Sequence, residues 1–418
     1  MKRAGAGLFF LIISVILVIS CRGFADSAFS GSPEMTGNIE FGDINGHWAE
    51  GDIIRLALKE TAFGFSDSTF HPDSPITRLD AATMLVKLFE NADSSSRKRL
   101  ELAVSLPFED TASLPSEQQR FISEVLKIGL MKGDKGSSTF RPTNPIKRLE
   151  AAVIMVRALG LEGEIRRNET ASEKDSAVSA GSIELPFSDT AEIPMWAVPY
   201  VEKAVELKLI NGYNDGTFKP MKSITRGEFA ALVSRLDRLI LNHKDSGEYF
   251  GKVMAVKTQD RKALHVMLAN GRMKSFRVKK QVRVFNEKGR MDFEEIAEAD
   301  DIGFLTDKSG EIVYIRVGDS KQKPLIRRAP GKVLSVSGGF GYLKLRPHYP
   351  MEEEYSVKVN LGGDTVVLAG DRIADPSLID ENMEIIAVGT VNEDDEIEAR
   401  EIEILDPVVI PGDEDEGE

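Results

Sequence analysis

Three segments of this chain spell the same phrase in the same order. Each opens on Phe-x-Asp, at Phe41–Asp43, Phe108–Asp110 and Phe187–Asp189. An amphipathic stretch and a glycine follow (Gly64, Gly133, Gly212), then Thr-Phe-x-Pro at Thr69–Pro72, Thr139–Pro142 and Thr217–Pro220. Each closes on Ile-(Thr/Lys)-Arg-x-(Asp/Glu), at Ile76–Asp80, Ile146–Glu150 and Ile224–Glu228. The closing arginines, Arg78, Arg148 and Arg226, stand 70 and 78 positions apart. Such a period marks one supersecondary unit used three times, too small to bury its apolar face except against its neighbours. The copies are therefore expected to pack around a pseudo-threefold axis.

Each copy reads as helix, loop, helix. In the third, Val201, Ala204, Val205 and Leu209 share one face of a helix predicted near Val198 to Leu209. Gly212 is expected to end it, and Asn214-Asp215-Gly216 is turn chemistry. A second helix starts near Arg226 and buries Phe229, Ala230, Leu232, Val233 and Leu236. Ala81, Ala82, Leu85 and Leu88, and Ala151, Ala152, Met155 and Leu159, take that role in the other copies.

These motifs resemble the S-layer homology (SLH) family over roughly residues 39–240. The third copy, from Phe187-Ser188-Asp189-Thr190 through Trp196-Ala197 to the Ile224-Thr225-Arg226-Gly227-Glu228-Phe229-Ala230 close, lies nearest the family pattern. The resemblance implies a non-catalytic cell-envelope anchor that grips an acidic, typically pyruvylated, wall polysaccharide. Two other classes stay open: the same anchor carrying a polysaccharide-acting enzyme in 248–410, and a lattice-forming S-layer subunit.

At 418 residues the chain exceeds one domain. Its formal charge is −14, and an acidic tail closes it at 407–418. Nucleic acid is therefore a poor partner, because phosphate binding needs clustered Lys and Arg. Any bound anion has to meet a local basic site. Lys2, Arg3 and the apolar run Leu8–Ile19 read as a signal peptide over 1–20, too short to span a membrane. Val18-Ile19-Ser20-Cys21 resembles a lipobox, which would place a lipid anchor on Cys21; ordinary cleavage after Ala25 is the alternative. With one cysteine, no intramolecular disulfide forms.

The expected layout is multidomain. A linker at 21–38 precedes all-α pseudo-threefold repeats at 39–90, 106–161 and 185–240. Between them lie polar connectors (Asn91–Ser105, Glu164–Glu184). From about Glu248 the pattern turns to alternating, β-branched runs punctuated by Asn270-Gly271, Lys288-Gly289 and Ser309-Gly310. Gly331–Val336 echoes Gly251–Val256 at a period of 80. Two small all-β modules of barrel or sandwich type are expected at 248–319 and 328–406, as spacer or interaction surface with an unnamed protein partner.

Two roles divide the closing motif. Thr225 and Glu228 form a capping box, as do Thr77 and Asp80; Glu150 is left with Lys147 in place of the threonine. Capping does not explain the arginines. A cation at the first helical position opposes the helix dipole, so each needs an anion. Either a ligand carboxylate at the free N–H groups supplies it, or an acidic residue of a neighbouring repeat, such as Asp43, Asp110 or Asp189. Trp48 and Trp196 precede their glycines by 16 positions, where they would stack on sugar rings or plug the core. Copy two has Glu117 there. A Gly-x-x-x-Gly pair is complete only at Gly129/Gly133; Glu60 and Lys208 stand in the other copies. The groove bordered by copy three is expected to bind best. The polysaccharide contacts so collected are Arg78, Arg148, Arg226, Trp48, Trp196, Asp43, Asp110, Asp189, Gly64, Gly133 and Gly212. Five scattered histidines show no metal-ligand spacing, and no cofactor motif appears.

Overall fold

The computed structural model describes residues 40–92, 106–133, 137–167, 185–240, 247–259, 261–269, 271–318, 326–337, 341–347, 356–370, 372–392 and 396–405. The segment expected to be a signal peptide, Cys21, the expected 21–38 linker and the acidic tail lie outside them.

Among the described residues the repeats supply six helices: α1 (Glu50–Leu58) and α2 (Arg78–Ala92), α3 (Ser116–Lys127) and α4 (Arg148–Ala158), α5 (Val198–Glu206) and α6 (Arg226–Leu239). Each second helix packs on the first helix of the following repeat: α2 on α3, α4 on α5, and α6 back on α1. The apolar stripes read from sequence are what they bury, with Ala81, Ala82, Ala151, Ala152, Ala230 and Phe229 fully inside. The repeats are not purely helical. At the axis Ile76 N–H donates to Ile224 O, Ile146 N–H to Ile76 O, and Ile224 N–H to Ile146 O, at 3.0–3.1 Å. Three extended segments thus close a triangle of backbone hydrogen bonds.

The helix stop also differs from the sequence expectation. The first helices end at Leu58, Lys127 and Glu206, and the left-handed turn falls two residues later, at Glu60 (φ 53°), Gly129 (φ 67°) and Lys208 (φ 55°). Gly64, Gly133 and Gly212 do something else. A Cβ on each would run into the ring of the opening phenylalanine, Phe41, Phe108 or Phe187. The residue before each loop proline, His71, Arg141 or Lys219, is also left-handed (φ 53–58°), a conformation costly for a side chain and disfavoured before proline. The opening aspartate holds it there. Asp43 accepts from Phe70 N–H and His71 N–H at 2.8 and 2.6 Å. Asp110 and Asp189 do the same for their loops at 2.7–2.9 Å.

The C-terminal half forms two closed five-stranded barrels of identical topology. The first uses β1 (Glu248–Lys257), β2 (Ala263–Leu268), β3 (Met273–Asn286), β5 (Asp301–Thr306) and β6 (Ile312–Val317), with β4 (Gly289–Met291) folded back on β3. Strands β1–β2–β3 form an antiparallel meander, β3 pairs parallel with β6, and β5 closes onto β1. The second repeats this with β7 (Ile326–Val336), β8 (Tyr342–Pro347), β9 (Val357–Ala369), β10 (Arg372–Ala374), β11 (Glu384–Val391) and β12 (Ile397–Ile404). Its first strand begins at Ile326, and Pro330 lies within it opposite Ile386.

Both barrels are docked on the helical body. Phe285, Leu305 and Tyr314 of the first and Ile386 and Val388 of the second join the core of the repeats. What reads from sequence as the start of a connector is a helical turn at 162–167 that seats the second barrel. Val388 and Val366 occupy the space a Cβ would need at Gly160 and Gly163, and Gly163 N–H donates to buried Glu401. Arg55, Lys59, Asp237 and Glu248 form a buried quartet joining α1, α6 and β1, with contacts of 2.5–2.9 Å and side chains at most 5% exposed. Its charges balance, which is the condition for burying them at all. Burial would push the Asp237 carboxyl up, but Lys59 and Arg55 hold it down at about 2. Against the same opposition they also lower Glu248.

Two outcomes are expected. Lys208→Gly relieves a left-handed lysine and should raise stability by about 0.5–1 kcal/mol, whereas Gly129→Ala should cost about 1 kcal/mol, read from urea unfolding midpoints. In the second, Asp237 titrates below its ordinary 3.8, so the unfolded chain takes up more protons between that value and about 2. The quartet's contribution is complete above about pH 4 and lost as pH falls toward 2. Melting curves should show that acid limb, and Asp237→Asn should flatten it while lowering the melting temperature at pH 7.

Candidate functional site

The three arginines begin their helices as expected, but the anion they meet belongs to the protein. Arg226 Nη1 lies 3.2 Å from Asp80, Arg78 Nη1 lies 3.5 Å from Glu150, and Arg148 Nη1 lies 3.7 Å from Glu228. The partners are the capping acids of the next repeat, so the chain of pairs closes into a ring. Asp43, Asp110 and Asp189, the neighbours weighed from sequence, are engaged with their own loops instead. The guanidinium groups also donate across the boundary. Arg78 Nε and Nη2 reach Phe140 O and Lys132 O at 2.8 Å, and Arg226 reaches Phe70 O and Phe63 O at 2.8 and 2.9 Å.

The premise of free N–H groups at the helix starts is corrected as well. Arg78, Arg148 and Arg226 N–H donate to Asn144 O, Lys222 O and Ser74 O; Leu79, Leu149 and Gly227 N–H donate to Pro142 O, Pro220 O and Pro72 O. The third amide goes to the cap hydroxyl where one exists, Asp80 N–H to Thr77 and Glu228 N–H to Thr225, both at 3.1 Å. In copy two only the return half of the box is made, Glu150 accepting from Lys147 N–H at 2.7 Å. The first two amides of each second helix are thus taken by a neighbouring repeat, and each arginine is only 5–6% exposed. Arg78, Arg148 and Arg226 are clasps between repeats. Gly64, Gly133 and Gly212 are seats for phenylalanine, and Asp43, Asp110 and Asp189 are loop clamps.

The tryptophans go the other way. Trp48 and Trp196 are 61% and 58% exposed, so neither plugs the core. His47 positions Trp48: its Nδ1 accepts from Ala49 N–H, leaving Nε2–H to donate to Asp73 at 3.3 Å. Trp196 packs edge-on to Tyr200. Glu117, in the corresponding place of copy two, is exposed.

A groove of about 430 Å³ lies where the three repeats converge. Trp48 and Asp73 come from the first, Arg148 from the second, and Ile210–Asn214, Lys222, Glu228 and Arg235 from the third. It holds three cations against two carboxylates. Its arginine is the least satisfied clasp: among the described residues the buried Nε of Arg148 has no hydrogen-bond partner, whereas the equivalent atoms of Arg78 and Arg226 do. Those two Nε atoms donate to loop carbonyls, and Tyr213 sets the third clasp apart in a second way. Its ring lies under the Arg148 guanidinium at 4.4 Å, and its hydroxyl donates to Glu228 at 2.6 Å, drawing that carboxylate away. Burial, then the bond to Glu228, pushes the Tyr213 hydroxyl up to about 12. Burial lowers the Arg235 guanidinium; Asp52 opposes this, while Arg238, Arg316 and Arg148 add to it. An incoming carboxylate would relieve that crowding of positive charge. Sequence reasoning missed Tyr213, Lys222 and Arg235; their signal, a Tyr beside the loop glycine and basic residues spaced along the third copy, is indistinct until the fold gathers them.

Residues 40–82, 107–152 and 186–230 match the S-layer homology domain, so the chain carries three of them. The chain is 27% identical over 213 residues to exoglucanase XynX of Acetivibrio thermocellus, covering 50% of this chain and 18% of that one. It is 28% identical over 213 residues to the S-layer protein EA1 of Bacillus anthracis, covering 50% and 21%. Over 104 residues it is 39% identical to a cellulosome-anchoring protein of Acetivibrio thermocellus, covering 24% and 20%. The matched stretches thus span about a fifth of each of these relatives.

The clasps differ enough to be ranked. Removing one partner of a buried pair costs about 3–5 kcal/mol. Arg226→Ala and Arg78→Ala should lose about that much, and Arg148→Ala distinctly less, in chemical unfolding at neutral pH.

Proposed function

We propose that this chain, with its three S-layer homology domains and two docked barrels, is a non-catalytic anchoring protein of the bacterial cell surface. It grips an anionic, pyruvylated wall polysaccharide in the groove between Trp48 and Arg148. The observation that carries this is the combination found there: an exposed indole beside a buried guanidinium with an unspent N–H. Indole faces stack on the C–H face of a sugar ring, and a guanidinium fork takes a carboxylate in two parallel bonds. Lys222 and Arg235 add charge at the same groove. Its volume suits one or two sugar residues rather than a long chain segment. Surface-layer and anchoring proteins among the relatives support the same reading.

The three junctions are unequal on this view. The groove bordered by the third repeat has its indole and its unsatisfied arginine; the junction bordered by the first faces Glu117 in place of an indole. The barrels stiffen the attachment, being bolted to the helical body through the quartet and through Gly160 and Gly163. A lipid on Cys21 would add a second point of attachment, and two weak holds on one body multiply through effective concentration.

Trp48→Ala is the direct test. The side chain is largely exposed, so the melting temperature should move by no more than about 2 °C. Binding to purified wall polysaccharide should fall at least tenfold, and removing the acidic groups from the polymer should weaken the parent protein by a similar factor. Unchanged binding in both arms would overturn the assignment.

A further inference from the structure

The outer surfaces of the two barrels carry an inversion of charge that the groove does not use. Seven of the eight charged residues in β1, β2 and β3 are Lys or Arg, as are six of the seven in β7, β8 and β9. The whole chain, by contrast, has 67 acidic residues against 53 basic. The exception in the first set, Glu248, is spent in the buried quartet.

Strand register places some of these cations together on an outer face, while Lys252 pairs with Asp301 and Lys279 with Asp307. Val253, Leu264, Val266 and Phe276 point into the first barrel, and Val333, Leu343, Leu345 and Val359 into the second, so alternate residues face out. In the first barrel Lys257 lies opposite Ala263 and Ala263 opposite Arg277, with Met267 opposite Met273 beside them. In the second, Lys332 lies opposite Arg346, and Lys344 opposite Lys358. Like charges directly opposed across a sheet are unfavourable. Lys358 has Glu396 at 3.2 Å. Among the described residues Lys257, Arg277, Lys332, Lys344 and Arg346 pair with no carboxylate. Docking on the helical body goes through Phe285, Tyr314, Ile386 and Val388, which leaves Lys257, Arg277, Lys344 and Arg346 exposed.

We propose that these two matching faces bind a strand of acidic polysaccharide, at a surface separate from the Trp48 groove. The charge spacing selects the partner. Cations on one face of a strand recur about every 7 Å, and neighbouring strands lie about 5 Å apart. That spacing suits a polymer with one carboxylate per sugar. Duplex DNA presents a charge about every 1.7 Å, and a chain of net charge −14 repels so dense a polyanion. Exposed Met267, Met273 and Tyr342 give apolar and aromatic surface for sugar C–H groups.

The test uses the full chain with polygalacturonate, its fully methyl-esterified form, and duplex DNA as probes. Lys257, Arg277, Lys344 and Arg346 are changed together to Glu, and in a second variant together to Gln, which leaves the strands least disturbed. The parent should bind polygalacturonate with an affinity that falls steeply with salt. Both fourfold variants should lose at least tenfold and show a shallower salt slope, while Trp48→Ala stays within twofold of the parent. That last arm separates failure of this proposal from failure of the groove assignment. Parent-like binding by the Gln variant, equal binding of the esterified polymer, or tighter binding of DNA than of polygalacturonate would each overturn it.

Discussion

Three isoleucine amides meet at the axis of the helical body, and each takes its carbonyl from another repeat. Everything in the N-terminal half depends on that exchange. A lone repeat would leave those N–H groups, and the first two amides of its second helix, without partners, and unpaired buried amides are too costly to keep. The arginine clasps follow from the same geometry. Once a neighbour's carbonyls cap the helix start, the side chain at the first helical position is held against that neighbour's loop. A guanidinium is the group long enough, and rich enough in donors, to bond its carbonyls and its capping acid together.

This arrangement changes what the repeated motif means. Phe, Asp and Gly are spaced as they are because a strained loop residue before proline must be held by a carboxylate while a phenyl ring occupies the volume a side chain at the glycine would fill. Recurrence here marks folding necessity. The residues that differ between copies, Trp48 against Glu117 and Tyr213 with its hold on Glu228, line the groove at one junction.

The barrels are part of the body. Four buried charges of balanced sign fasten the first, and two glycines without side chains let the second approach within van der Waals contact. Both junctions are desolvated and closely packed. Their outer strands remain available, and the inversion of charge there is repeated in both copies of the module.

Much of this was legible in the residues. The threefold period, the apolar stripes of α2, α4 and α6, the capping boxes, and the change to β structure near Glu248 are local signals, set by neighbours within a few positions. The duplicated β module showed in its period of 80. The partner of each arginine was not legible, nor was the pairing of each second helix with the next repeat's first, nor the quartet that joins Arg55 to Glu248. Those contacts link residues 30 to 193 positions apart, and one sequence holds many carboxylates and carbonyls at such separations. Helix and strand are chosen by the periodicity of side chains along the chain. Which buried charge meets which is chosen only when closure of the ring brings distant segments within 3.2–3.7 Å, because only then does losing water have to be offset by one particular neighbour.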